Sequence, residues 1–201
     1  MTALGLIGFG LALLLGYALG SIPFGFLLAK AGGAGDVRTI GSGNIGATNV
    51  LRTGRKGLAA ATLLLDAGKG ALAVWLGHRF GGETLAGVAG LGAFIGHLYS
   101  VWLRFRGGKG VATLLGISLA LLPLAGLAFA LAWVGAALVT RISSLGGMAG
   151  GFAAAIAAFA LGQPWSGALL LIMAIWVLWT HRENIARLRS GTEPRIGRKA
   201  A

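Results

Sequence analysis

The chain is organised as long apolar runs separated by short basic stretches. The first run, residues 3–29, carries no charged side chain, and further runs cover 58–76, 84–103, 111–140, 145–162 and 165–180. An α-helix advances ~1.5 Å per residue, so about 20 apolar residues cross the ~30 Å hydrocarbon core of a bilayer. Run 111–140 is too long for a single pass. Pro123 near its middle predicts a hairpin, with arms of roughly 12 and 17 residues that are short against the ~20 of a full span. The pattern predicts an all-α, polytopic membrane helical bundle of about seven transmembrane segments, built as one domain over residues 1–201.

Composition agrees with lipid as the solvent: 56% of the 201 residues are hydrophobic and 11% charged, with mean hydropathy +0.83. The first run has no Lys or Arg before it and is about twice the length of a signal-peptide core, so it is expected to stay as a span. The net charge of +12 would suggest nucleic acid in a soluble protein. Here it flanks spans, and no nucleic-acid partner is expected. Every Lys and Arg except Lys69 and Arg79 falls in residues 30–56, 104–109, Arg141 or 182–199. The positive-inside rule puts those stretches in the cytoplasm and the segment with His78, Arg79 and Glu83 outside, giving an outside N-terminus and a cytoplasmic C-terminus. Cysteine is absent, which excludes disulfides, thiolate metal sites and a thioester nucleophile. No metal and no cofactor is expected. Many of the 37 glycines sit in spans at small-residue spacing, such as Gly87, Gly90, Gly92 and Gly96, and predict close helix packing.

Three cytoplasmic stretches carry candidate chemistry. GSGNIGATNVLRTGRKG, residues 41–57, alternates Gly41, Gly43 and Gly46 with Ser42, Asn44, Thr48 and Asn49 ahead of Arg52, Arg55 and Lys56. Glycines let successive amides face one anion, a helix N-terminus adds partial positive charge, and a guanidinium can fork onto phosphate. The alternative is an interfacial turn whose arginines touch lipid headgroups. GHLYSVWLRFRGGKGVAT, residues 96–113, offers the amides of Gly107 and Gly108 beside Lys109; Gly110 after the lysine excludes a Walker A loop. His97 and Ser100 share a helical face there, with packing and substrate contact both open. In HRENIARLRSGTE, residues 181–193, His181 and Asn184 share one face as a possible polar site, while the spacing of Glu183 and Arg187 predicts a helix-supporting pair. A lipid-touching basic tail is the alternative. Arg141 with Ser143 and Ser144 forms a fourth, weaker feature. Asp66 and Lys69 lie within a span, as a functional site or as a mutually paired structural unit.

Together and in this order, these motifs resemble the bacterial acyl-phosphate:glycerol-3-phosphate acyltransferases, the PlsY family, over the whole chain. The resemblance implies a seven-helix enzyme of the bacterial inner membrane with its site on the cytoplasmic face. It implies acyl phosphate as donor, glycerol 3-phosphate as acceptor, lysophosphatidic acid as product, and an upstream enzyme that forms acyl phosphate. By motif position it implies Ser42, Asn44, Thr48, Asn49 and Arg52 as phosphate-loop residues, with Lys109, His181 and Asn184 closing around the substrates and Ser144 in the fourth loop. Two positions depart from the family pattern: Arg106 stands where lysine is usual, and Gly147 stands for a hydroxyl residue.

Acyl phosphate is a mixed anhydride with a good leaving group, so the task is to hold two phosphate-bearing anions together, with Lys109 and Arg52 as the catalytic cations. No H-x-x-x-x-D motif is present, and the nearest spacing, His78 to Glu83, falls on the outer side. Proton removal by an acyl-phosphate oxygen is expected, with His181 as the alternative base. A transporter of a phosphorylated metabolite is the rival reading. It requires a midplane site reachable from both sides, and neither matched broken helices nor an internal repeat is present. A non-catalytic scaffold would not require three anion-suited loops.

Overall fold

The computed structural model describes residues 3–196, so Arg198 and Lys199 of the predicted basic tail lie outside the described residues. Every regular element among the described residues is helical: α1 (Ala3–Ser21), α2 (Phe24–Ala31), α3 (Ala47–Leu51), α4 (Lys56–Leu98), α5 (Val111–Leu121), α6 (Pro123–Thr140), α7 (Ser143–Ala160), α8 (Pro164–Thr180) and α9 (Arg182–Arg189), with two short 3₁₀ turns.

The first apolar run is not one helix. Pro23 has no amide hydrogen to continue the ladder, and the chain breaks there into α1 and α2. The carbonyls left at the break are bound from elsewhere: Ser100 Oγ donates to Ser21 O at 2.6 Å and Lys69 Nζ to Ile22 O at 2.8 Å. Helix α4 contains two predicted runs and is broken between them at Gly81 and Gly82, the latter with φ 67° and ψ −159°, a region essentially reserved for glycine. Its arms fold back on each other, so that a Cβ at Gly90 would stand 3.0 Å from Val74. Helix α1 packs along this hairpin, with Gly16 and Gly20 against the backbone of Ala89 and Ala93, and Gly92 and Gly96 against the backbone of α1.

The turn predicted at Pro123 is present. Leu122 is extended and Pro123 starts α6, where its missing amide costs no hydrogen bond. Lys109 before α5 and Ser144 after α6 line the same cavity, so α5 leaves that end of the bundle and α6 returns to it. By length and composition four stretches are apolar enough to cross a membrane: Gly5–Ala31, Lys56–Leu103, Pro123–Thr140 and Ser143–Ala160. Pro164–Thr180 with Arg182–Arg189, bent by 59°, makes a fifth, while α5 has only 11 residues. The polarity of the bundle is inverted relative to a soluble protein. Leu64, Leu131, Leu138 and Val139 are 64–86% exposed, whereas Thr62, Asp66, Lys69, His97, Thr113 and Ser118 are buried. Such an apolar exterior suits a lipid environment.

Candidate active site

Four segments far apart in sequence meet at one end of the bundle around a cavity of about 130 Å³. They are the Gly-rich loop, the start of α5, the start of α7, and the α8–α9 junction with the tail behind it, and α4 adds Leu63, Asp66 and His97 and α6 adds Trp133 to the lining.

The Gly-rich loop is organised by Asn49. Its buried amide nitrogen donates toward Val37 O, Ile40 O and Asn44 O at 2.7, 3.1 and 2.8 Å, and its Oδ1 accepts from Ser42 N at 3.1 Å and Arg52 Nη1 at 3.2 Å. Asn49, expected as a phosphate contact, lines the cavity, while its amide nitrogen and oxygen are engaged within the loop and on Arg52. Gly41, at φ 56°, lies so close to Asn49 and Arg52 that a side chain would collide with both; Gly41 lines an adjoining open groove with Arg55, Lys56 and Arg195 instead of the cavity. Gly43 does not line the cavity either, whereas Ser42, Asn44, Gly46 and Thr48 do. Among the described residues the Ser42 and Thr48 hydroxyls and the Asn44 amide nitrogen have no intramolecular partner, which leaves them available to a ligand.

The GGKG motif works differently from the expectation. The amides of Gly107 and Gly108 donate to Leu98 O and His97 O, both at 2.9 Å, and neither residue lines the cavity. A Cβ at either would strike the end of α4 or the His97 ring. These glycines press the loop onto α4 and so place Lys109 at the cavity. His97 is buried beneath the loop, its Nδ1 3.6 Å from Asp66 Oδ1. Asp66 pairs with Lys69 at 2.7 Å, and Asp66 and His97 also line the cavity, so the two charges are mutually paired and the pair borders the site.

The last segment supplies His181 and Asn184. His181 Nδ1 lies 2.8 Å from Val177 O; a carbonyl only accepts, so this nitrogen carries the proton and Nε2 keeps its lone pair. Asn184 Oδ1 accepts from Lys109 Nζ in a short hydrogen bond, and Asn184 Nδ2 donates to Glu193 Oε1 at 2.6 Å. Ser144 Oγ donates to the same oxygen at 2.7 Å. Arg187 pairs with Glu193 at 2.8 Å rather than with Glu183 as its spacing suggested. A side chain at Gly147 would press on Val111 and stand 3.7 Å from His181 Nε2, which fits glycine there in this chain. Sequence reasoning missed Glu193 as a member of the site. Its signal was a second acidic residue, beside Glu183, in a predominantly basic tail.

The electrostatics divide the cations into two kinds. Lys69 and Arg187 have carboxylate partners, while Lys109 and Arg52 meet only the neutral oxygens of Asn184 and Asn49 among the described residues. Burial, with Arg187 and Arg52 nearby, pushes the Lys109 ammonium down to about 8. Burial likewise lowers the Arg52 guanidinium, and pushes the His181 imidazole down to about 4, so His181 is neutral near pH 7. At Glu193 burial acts to raise the carboxyl, but the hydrogen bonds from Asn184, Ser144 and Arg187 outweigh it and hold the group ionised. Leu63, Val111 and Trp133 form an apolar wall beside these groups. Among the described residues no three His, Asp or Glu side chains converge as metal ligands. Two cations with no carboxylate in direct contact among the described residues, beside free hydroxyl and amide donors, make a receptor for a small anion such as phosphate.

The comparisons with known proteins point the same way. The sequence model of the glycerol-3-phosphate acyltransferase family matches residues 10–191. A glycerol-3-phosphate acyltransferase of Roseobacter denitrificans is 58% identical over 185 residues, 92% of each chain. One of Methylorubrum populi is 59% identical over 189 residues, 94% of this chain and 93% of that one. Among solved structures, the crystal structure of PlsY (YgiH), an integral membrane glycerol 3-phosphate acyltransferase in its glycerol 3-phosphate form, superposes with TM-score 0.89 at 36% identity, covering 94% of this chain and 96% of that one. Its lysophosphatidic acid form gives TM-score 0.86 at 35% identity, covering 94% and 95%. With its helical, multi-pass membrane architecture and a cavity lined by unpaired cations, the chain belongs to the glycerol-3-phosphate acyltransferase family.

Proposed function

We propose that this protein transfers an acyl group from acyl phosphate to a hydroxyl of glycerol 3-phosphate, releasing inorganic phosphate and lysophosphatidic acid as the first step of phospholipid synthesis. The observation that carries this reading is the pair Lys109 and Arg52 facing one cavity without a carboxylate partner among the described residues. An unpaired cation in a poorly solvated site is costly unless a ligand supplies the charge. The structure related at 36% identity is described as a glycerol 3-phosphate form.

In the reaction the acceptor hydroxyl oxygen attacks the acyl carbonyl carbon, the bond from that carbon to the bridging phosphate oxygen breaks, and the hydroxyl proton leaves with the phosphate. Lys109 and Arg52, with Ser42, Asn44 and Thr48, hold the phosphate groups and stabilise the charge that develops on the leaving group. The Leu63, Val111 and Trp133 wall takes the first carbons of the acyl chain. His181 is a weak base, held down to about 4, whereas a phosphate group titrates near ~6. The departing phosphate is therefore the better proton acceptor, and His181 Nε2 serves to accept a hydrogen bond from the acceptor hydroxyl and orient it. Substrate-assisted proton removal fits this ordering better than histidine as base.

The cavity end belongs on the cytoplasmic side of the bacterial inner membrane, with seven membrane segments, the N-terminus outside and the C-terminus inside. The basic loops on that end support this placement. An enzyme that forms acyl phosphate must act upstream. Purified protein supplied with glycerol 3-phosphate and, in parallel, acyl phosphate, acyl-CoA or acyl carrier protein tests the reading. Lysophosphatidic acid should form with acyl phosphate alone. Formation only from acyl-CoA would overturn the donor, and no product from any donor would overturn the activity.

A further inference from the structure

We propose that Glu193 is a positioning residue for acyl transfer: its carboxylate fixes the orientation of Asn184, and through it the place of Lys109, while tethering Ser144 at the cavity. The inference rests on the acyl-transfer reading above. An asparagine amide can present either its oxygen or its nitrogen to a neighbour, and the choice follows from the partners. Here the partners leave one answer. Glu193, held ionised, only accepts, and the Lys109 ammonium only donates. Asn184 therefore turns Nδ2 to Glu193 Oε1 at 2.6 Å and Oδ1 to Lys109 Nζ. The carboxylate sets the polarity of a chain that ends on the phosphate-facing cation.

Glu193 joins three segments. Ser144 at the start of α7 donates to Oε1 at 2.7 Å, Asn184 of α9 donates to the same oxygen, and Arg187 of α9 donates to Oε2 at 2.8 Å. The Glu193 side chain is only 5% exposed. The tail that carries it is anchored again by Ile196 N donating to Arg141 O at 2.7 Å. Arg187 cancels the carboxylate charge, so Glu193 can stand at the edge of an anion site without repelling the ligand.

Glutamine at this position keeps the shape but makes one arm a donor, which must face a donor, either Arg187 or the Ser144–Asn184 pair. It also removes a negative charge from the surroundings of Lys109. The charged groups acting on Lys109 are Arg187 and Arg52, which lower it, and Glu193 and Glu183, which raise it; neighbouring His181 is neutral near pH 7. Steady-state acyl transfer against pH is the test. In Glu193→Gln, kcat/KM should fall about 10- to 100-fold, the range for losing a charged hydrogen bond, and its alkaline limb should move to lower pH. Glu193→Asp retains the charge with shorter reach, so it should lose kcat while its limb stays at the wild-type position. Arg187→Gln should move the limb upward, and this variant keeps the test open if Glu193→Gln does not fold. A Glu193→Gln enzyme with wild-type rate, or one slowed with its limb unmoved, overturns the positioning role, as does an unmoved limb in Arg187→Gln. A wild-type protein that makes no lysophosphatidic acid sinks the acyl-transfer reading instead, so the two failures are distinguishable.

Discussion

Lys69 and Lys109 stand in the same bundle, both drawn away from water, and the protein treats them in opposite ways. Lys69 lies inside α4, one turn from Asp66 at 2.7 Å, and its third dimension of bonding is a carbonyl freed by the break at Pro23. Lys109 sits on a loop at the mouth of α5 and meets a neutral amide oxygen. A buried cation with its counter-ion built in is part of the scaffold. A cation held by a neutral group keeps its charge for a ligand, and its desolvation is offset only when the ligand arrives. The same division separates Arg187, paired with Glu193, from Arg52.

The comparison breaks most visibly at Lys69. Lys69→Met leaves Asp66 buried without its partner, so we expect a loss of about 3–5 kcal/mol in stability, read as the thermal midpoint in detergent. Adding Asp66→Asn should recover much of it. A singly mutated protein as stable as wild type would mean that the pair is not structural. At Lys109 the effect should fall on rate instead: Lys109→Ala should lower turnover about 10²- to 10³-fold, with a thermal midpoint unchanged or higher. Near-normal turnover in that variant would remove Lys109 from the site.

Arg52→Lys sharpens the comparison by keeping charge and losing shape. The guanidinium forks onto phosphate and also holds Asn49 Oδ1, so turnover should drop about tenfold, the size of one neutral-to-charged hydrogen bond. Arg55→Gln, at a residue lining the outer groove, should change turnover by less than about threefold. Equal losses at the two arginines would blur the distinction between cavity and groove.

The pH dependence follows from the Lys109 ammonium, held down to about 8 by burial and by Arg187 and Arg52. The protonated form binds phosphate, so kcat/KM for glycerol 3-phosphate should be level below about 8 and fall above it. Bound phosphate favours the charged form, so the limb in kcat should lie at higher pH. Lys109→Arg should remove the limb while lowering the rate, since a guanidinium stays charged. A limb that persists unchanged in Lys109→Arg belongs to another group.

Most of the helices were legible in the sequence because membrane insertion reads local properties. A run of apolar residues long enough to cross lipid must satisfy its own backbone, whatever it packs against. The turn at Pro123 was legible because proline alters the backbone where it stands, and the break near Gly82 because His78, Arg79 and Glu83 interrupt the apolar pattern there. The break at Pro23 was missed because the surrounding run stays apolar across it. The loops that gather around Lys109 and Arg52 were legible from charge and motif. The tasks of individual loop residues were not. Asn49 serves the loop, Gly107 and Gly108 serve the packing on α4, Arg187 passes over Glu183, and Ser144 reaches an oxygen 49 residues away. The sequence alone determined which segments are helical and which residue types could meet an anion. Tertiary structure decided which donors remain free, because hydrogen-bond partners are chosen by distance in space, and each polar group claimed by a distant segment is withdrawn from the ligand.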